Sequence, residues 1–291
     1  MNVLSKSDLD FFRQQGYVIV PQAVPASNLQ ATVDAIWEFL EADDPEDPES
    51  WDRMPTREAS GESPLSATGM VEIYNHQALW DNRQHPRVYQ AFVDILGMNN
   101  LWVSLDRANM KPPVLEGDQN WQHPGMIHWD IETDQEITFG VQGVLFLTDT
   151  SADQGGFQCV PGFPRQFPEW VKTQPADRNP RAPDLTELEV KSIPGRAGDL
   201  LIWDSLLPHG NGRNTSDRPR LAQYIAMGPA KPENENQLQE RIATWREVKP
   251  IKSGPGDPRG WESQRYGSAK LTDLGRRLLG LDAWPSAEVP Q

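Results

Sequence analysis

The sequence predicts a mainly β protein, a sandwich or barrel, with helices on its N-terminal flank and one more near its C-terminal end. Two observations predict it. From Trp102 onward the chain breaks into short runs rich in β-branched, aromatic and leucine residues, punctuated by Gly, Pro, Asp and Asn. These runs do not alternate with helical patterns and show no fixed-period repeat, which argues against βαβ units and solenoids. A chain of 291 residues buries a sizeable core without disulfides or a structural metal. The length allows two domains, but no Pro/Ser-rich linker divides it, and single β barrels reach this size. The expectation is one domain over 1–291: a helical flank over 1–100, a β core over 101–228 and a C-terminal extension over 229–291.

In chain order, residues 8–15 form a short helix with Leu9, Phe11 and Phe12 as its apolar face, ended by Gly16. Residues 17–20 read as a buried strand. Ser27 is placed to N-cap a helix carrying Leu29, Val33, Ile36, Trp37 and Leu40 at helical spacing. Residues 43–69 turn polar and Pro-rich, a long loop of the kind that serves as a lid, and the acidic stretch 41–49 leads into it. A further amphipathic helix covers 88–96. Strands follow at 101–105, 138–147, 157–160, 200–203 and 221–227. Residues 229–260 read as polar and irregular, and 271–281 as a final helix.

Composition excludes several partners. With 27 Lys+Arg against 42 Asp+Glu, the net charge is -15, the wrong sign for a nucleic-acid backbone or an anionic membrane surface. One cysteine cannot form an intramolecular bridge, which favours a reducing, cytoplasmic setting. No signal peptide, membrane-length apolar run or C-terminal targeting signal is visible. The expectation is a soluble, cytoplasmic protein whose partner is a small molecule.

The candidate site begins at His128-Trp129-Asp130. In a strand, residues two apart project to one face, so this imidazole and carboxylate can converge on one ion. A His and an Asp hydrogen-bonded at a strand end fit the same triplet. Downstream, Gly198-Asp199 turns into an apolar strand, His209 follows Pro208, and Arg220 stands eleven residues further on. Two His and one carboxylate on a β scaffold form a facial triad that leaves metal positions open, the arrangement suited to non-haem Fe(II). An Arg beyond it offers a permanently charged fork for a carboxylate.

These residues do not stand alone. Gly16-Tyr17-Val18-Ile19-Val20, Met110-Lys111-Pro112-Pro113, His128-Trp129-Asp130 and residues 156–162 (Gly-Phe-Gln-Cys-Val-Pro-Gly) occur in order, followed by Gly198-Asp199, His209, Asn214-x-Ser216 and Arg220. In this order and spacing the chain resembles the phytanoyl-CoA dioxygenase family of Fe(II)/2-oxoglutarate oxygenases. The resemblance implies a double-stranded β-helix, a cupin-like jelly-roll barrel with flanking helices. It implies iron bound by His128, Asp130 and His209, and Arg220 paired with the distal carboxylate of 2-oxoglutarate. Lys111 and Asn211 stand where relatives also touch the cosubstrate. Many relatives carry Ser at the position of Asn211. Where they carry Pro-Gly-Ser-His, this chain has Pro161-Gly162-Phe163-Pro164, which marks that loop for a different substrate.

The resemblance further implies hydroxylation of an unactivated C–H bond of a small organic metabolite by O2, with release of succinate and CO2. Halogenases of the wider family replace the carboxylate ligand with a small residue, so Asp130 favours hydroxylation or a related oxidation. Two other readings remain, a catalytically silent metal- or small-molecule-binding relative and a cupin-like metalloenzyme that does not use 2-oxoglutarate.

Other residues carry blander readings. His123 is an alternative ligand, but Pro124-Gly125 makes its spacing unreliable, and a loop or pocket role is preferred. His76 and His85 read as surface or capping residues, Cys159 as a small buried hydrophobe, Trp129 as packing, and Asp199 as the shaper of its turn. The scattered Trp residues read as core and rim rather than as a carbohydrate-stacking surface.

Overall fold

The computed structural model describes residues 2–42, 44–51, 69–114, 126–252 and 256–285. Helix α1 (Lys6–Gln15) starts earlier than its apolar periodicity because Ser5 and Asp8 cap it reciprocally, each side chain accepting the other's backbone N–H. Gly16 ends it at φ +81°, a conformation glycine adopts without strain. Its apolar face is narrower than expected: Phe12 is buried, whereas Phe11 is 44% exposed and lies edge-on to Tyr17. Strand β1 (Tyr17–Val20) follows.

Helix α2 (Ala26–Leu40) is not capped by Ser27. Its first turn closes on the Pro25 carbonyl, which accepts from Asn28 and Leu29, so Ser27 falls inside that turn. Leu29, Ile36, Trp37 and Leu40 are buried as expected. The stretch read as a loop contains one helical turn, α3 (Pro48–Trp51), with Trp51 buried and its indole N–H on the Pro45 carbonyl. The rest of the expected lid, 52–68, lies outside the described residues. Then come β2 (Met70–Val71), α4 (Gln77–Arg83) and α5 (Pro86–Leu96). Pro86 stands in the first turn of α5, where its missing N–H costs nothing.

The β core comprises β3 (Leu101–Val103), β4 (Ala108–Lys111), β5 (Val141–Phe146), β6 (Phe157–Cys159), β7 (Lys191–Ser192), β8 (Leu200–Asp204), β9 (His209–Asn211), β10 (Arg220–Tyr224) and β11 (Met227–Pro229). Between β6 and β7 lies α6 (Phe163–Trp170). A six-stranded antiparallel sheet has the order β1-β8-β5-β10-β4-β2, a three-stranded one β7-β6-β9, and a two-stranded one β11-β3. The expected strand at 221–227 is two strands, because after Tyr224 the chain leaves the large sheet and pairs with β3. The segment read as irregular contains α7 (Glu235–Arg246), capped by Asn234. Of its residues only Thr244 is buried, so the sequence lacks the apolar stripe that would announce it. Helices α8 (Trp261–Arg265) and α9 (Asp273–Leu279) complete the described elements.

Alternation along the central strands builds two cores. Val144, Phe146, Leu201, Trp203 and Ala222 from the large sheet join Phe157 and Cys159 of the three-stranded sheet in one apolar cluster. Leu145, Leu200, Ile202 and Leu221 point the other way, into a larger cluster with α2, α4, α5 and α9. No described helix is long and apolar enough to cross a membrane.

Candidate active site

His128 and His209 are neighbours because their backbones form an isolated antiparallel bridge, His128 N–H to His209 O at 2.9 Å and the reverse at 3.0 Å. Their rings are 5.0 Å apart. The strand expected around His128 shrinks to this one bridge residue, and Asp130 lies on the bend after it, its backbone carbonyl held by Arg181. Asp130 still reaches both histidines, Oδ1 at 3.3 Å from His128 Nε2 and Oδ2 at 3.4 Å from His209 Nε2. One ligand atom from each of the three residues lies within 4.8 Å of the others.

The backbone also sets which nitrogen faces inward. His128 Nδ1 lies 3.1 Å from the Met126 carbonyl, and His209 Nδ1 2.9 Å from that of Leu207. A carbonyl only accepts, so each Nδ1 carries the proton and each Nε2 presents its lone pair to the cluster. His209 is 5% exposed, its ring stacked on Phe157 and tilted against Trp203 at 4.9 Å. When a ring also takes up a proton at Nε2 it donates to Asp130; these bonds, from His128 and then His209, hold the Asp130 carboxyl well below the usual carboxylate range, and the bond to Asp130 raises His128. Gln142 Nε2 donates to Asp130 Oδ2 at 2.6 Å. The trio opens on a cavity of about 210 Å³, walled also by Gln142, Phe157, Trp203, Asn211, Tyr224, Asp106 and Arg107.

A second cluster lies further along β10. Arg220 is fully buried and Lys111, its register partner on β4, is 2% exposed. Arg220 donates from one terminal nitrogen to Asn109 Oδ1 at 2.7 Å, while its Nε and Nη2 have no partner among the described residues. Lys111 Nζ donates to the Gly212 carbonyl. Burial, and next the Arg220 charge, push its pKa down to about 8. Neither cation has a carboxylate at ion-pair distance among the described residues. Asn214 fastens the region by donating to the carbonyls of Lys111 and Arg218. Asn211 borders the cavity and donates to the Tyr224 hydroxyl at 2.9 Å. Arg220 and Lys111 are not in the cavity wall; Arg220 shares strand and face with Tyr224, which is.

The remaining sequence candidates have structural places. His76 accepts the Ala78 N–H and caps α4. His85 occupies the N-cap position of α5 but makes no side-chain cap bond, and it is half-buried, its Nδ1 without a partner among the described residues. Cys159 is buried, its thiol pushed up to about 12 by burial. Trp129 packs on Phe163, Phe167 and Trp170 and donates to the Leu206 carbonyl. Phe163, in the departing Pro161–Pro164 stretch, is thus buried in an aromatic cluster rather than set in the cavity wall. Asp199 accepts the Arg196 N–H within its own turn. His123 lies outside the described residues. Sequence reasoning missed Gln142, Asn109 and Asp106. A polar residue on the inward face of β5, in step with Val144 and Phe146, was the available signal for Gln142. Asp106, whose pKa is raised by desolvation, sits in no recognisable motif.

The profile of the phytanoyl-CoA dioxygenase family matches residues 12–222. A Dictyostelium discoideum protein provisionally named a phytanoyl-CoA dioxygenase is 25% identical over 273 residues, covering 80% of this chain and 78% of that protein. The ectoine dioxygenase of Bordetella bronchiseptica is 28% identical over 193 residues, covering 58% of this chain and 62% of the enzyme. Among solved structures, the epimerase SnoN in complex with Fe3+ and alpha ketoglutarate superposes with a TM-score of 0.54 at 18% identity, covering 92% and 95% of the two chains.

Proposed function

From its membership of the phytanoyl-CoA dioxygenase family, we propose that this Fe(II)- and 2-oxoglutarate-dependent dioxygenase hydroxylates an unactivated C–H bond of a small organic metabolite, releasing succinate and CO2. The observation that carries the reading is the unpaired edge of Arg220. Its Nε and Nη2 are buried donors without acceptors among the described residues, a costly arrangement unless a ligand supplies the oxygens. Two parallel N–H groups on a planar fork match a carboxylate. A dicarboxylate reaching from the histidine cluster to Arg220 would satisfy both ends of the site.

In this reading His128 Nε2, His209 Nε2 and one Asp130 oxygen hold the metal, and Arg220 takes the distal carboxylate with Lys111 adding charge beside it. Asn211 keeps an amide oxygen and a second N–H for the cosubstrate after bonding Tyr224. When bound, iron and 2-oxoglutarate supply the oxidising chemistry, coupling decarboxylation to C–H oxidation. The chain's own work is to fix the ligand atoms, neutralise the dicarboxylate and wall the reacting carbon from water with Phe157, Trp203 and Tyr224.

A cavity of about 210 Å³, on a chain of net charge -15, suits a small neutral or cationic substrate better than a polyanionic acyl-CoA. We read the two sheets that share the Phe157–Trp203 core as the double-stranded β-helix of this family. The single-domain reading is supported by one apolar cluster running from Leu4 to Leu279. A cupin-like enzyme without cosubstrate would leave the Arg220 edge without a role.

The test is succinate formation from 2-oxoglutarate with Fe(II), O2 and a substrate panel. Alanine at His128, Asp130 or His209 abolishes it; iron-dependent turnover surviving in any of these variants would refute the assignment.

A further inference from the structure

The Asp130 carboxylate has an unexplained partner. Gln142 Nε2 donates to its Oδ2 at 2.6 Å, a charge-assisted bond at the short end of its class. The amide cannot be reversed, because its oxygen would then face a carboxylate, which only accepts. The other end of the amide, Oε1, is buried with no partner among the described residues. Gln142 thus leaves an acceptor unsatisfied while giving its donor to the cluster.

The position of this donor is set by the sheet. Strand β5 lies between β8 and β10, with Gln142 in register opposite Trp203, whose ring rests against His209. The side chain therefore reaches Asp130 from a fixed wall rather than from a loop. Its sequence distance from Asp130 is twelve residues, and no motif links the two.

Resting on the metal-site reading above, we propose that Gln142 is a positioning residue that holds the Asp130 carboxylate in the orientation in which it ligates the metal. The Gln142 N–H takes one lone pair of Oδ2 and restrains rotation of the carboxylate, so that its oxygens stay turned toward His128 Nε2 and His209 Nε2. Gln142 acts through Asp130 and touches no reacting atom in this account.

The test uses the full-length chain loaded with Co(II) under argon, comparing wild type, Gln142→Met and His209→Ala. Gln142→Met keeps the length of the side chain and removes its N–H. Three quantities are measured: Co(II) affinity by chelator competition, the visible d–d spectrum, and the melting temperature without metal. The expected result is a Co(II) affinity lowered about 10–100-fold and a changed d–d spectrum in Gln142→Met, with the metal-free melting temperature held. Wild-type affinity and spectrum in Gln142→Met, with binding lost in His209→Ala, would overturn the proposal and leave the metal site standing. A metal-free melting temperature that falls together with affinity would make Gln142 merely structural and also overturn it. Wild type binding no better than His209→Ala would refute the site itself and the proposal with it. If Gln142→Met fails to fold, Gln142→Asn serves, since its amide is one methylene too short to reach Asp130; unchanged affinity and spectrum there are equally fatal.

Discussion

Arg220 is a fully buried cation whose described partner is a neutral amide oxygen, and that imbalance makes its contribution measurable. Replacing it with Ala should weaken 2-oxoglutarate by about 3 kcal/mol, on the order of a hundredfold in Kd, while iron affinity is retained; calorimetric titration of both variants checks this. Lys111 adds a pH signature. Its pKa is pushed down to about 8 by burial and by Arg220, so in the ligand-free protein it loses its proton as pH rises through that value. An incoming dianion favours the charged form, so the Kd for 2-oxoglutarate should be flat below pH 8 and rise above it, and Lys111→Met should abolish that rise. The same shift has the opposite sign for folding: the unfolded lysine keeps its proton to about 10.4, so the ligand-free fold gains stability as pH rises above 8. The triad, Arg220 and Lys111 were legible in the sequence because spacing and order carry them. Asn109 and Gln142 were not, since their links to Arg220 and Asp130 exist only through sheet register.

The element that assembles the histidines is β9, and its middle residue makes the assembly possible. A Cβ on Gly210 would stand 2.2 Å from the Met126 carbonyl oxygen, the same oxygen that fixes the His128 ring. Gly210→Ala should therefore part β9 from the His128 segment and lose metal binding at nearly unchanged far-UV circular dichroism. Further out, α8 is tied to the entry of α4 by Glu262, whose carboxylate accepts the N–H groups of Tyr74 and Asn75. Burial pushes its pKa up to about 7, so the folded state holds a proton that the unfolded chain releases near pH 4.3. That stabilisation is full below this lower value and is lost as pH rises through about 7. The melting temperature of wild type relative to Glu262→Gln should fall by a few degrees between pH 5 and pH 8, read by calorimetry at each pH. Elements with apolar runs or periodic faces were legible: β1, β5, β8, α2 and α5. Helix α6 was not, because Pro164 and Pro168 read as breakers, and α7 was not, because it buries so little.

For the whole molecule, short strands and turn residues disclosed the β class, but not how the sheets are ordered. Strand β1 pairs with β8 across most of the chain, Tyr17 opposite Trp203, and such long-range pairing leaves no local trace. That pairing nonetheless organises the site, since β8 and its neighbour β5 bring Trp203 and Gln142 to the cavity beside His209. The central claim is that one site holds Fe(II) on His128, Asp130 and His209 and 2-oxoglutarate against Arg220. Its most direct test is an anaerobic titration with Fe(II) and then 2-oxoglutarate, followed by the visible charge-transfer band of the metal-bound cosubstrate. The account predicts that the band forms in wild type, disappears in His209→Ala, and in Arg220→Ala requires far more 2-oxoglutarate. Iron bound by wild type with no band at saturating 2-oxoglutarate would contradict it.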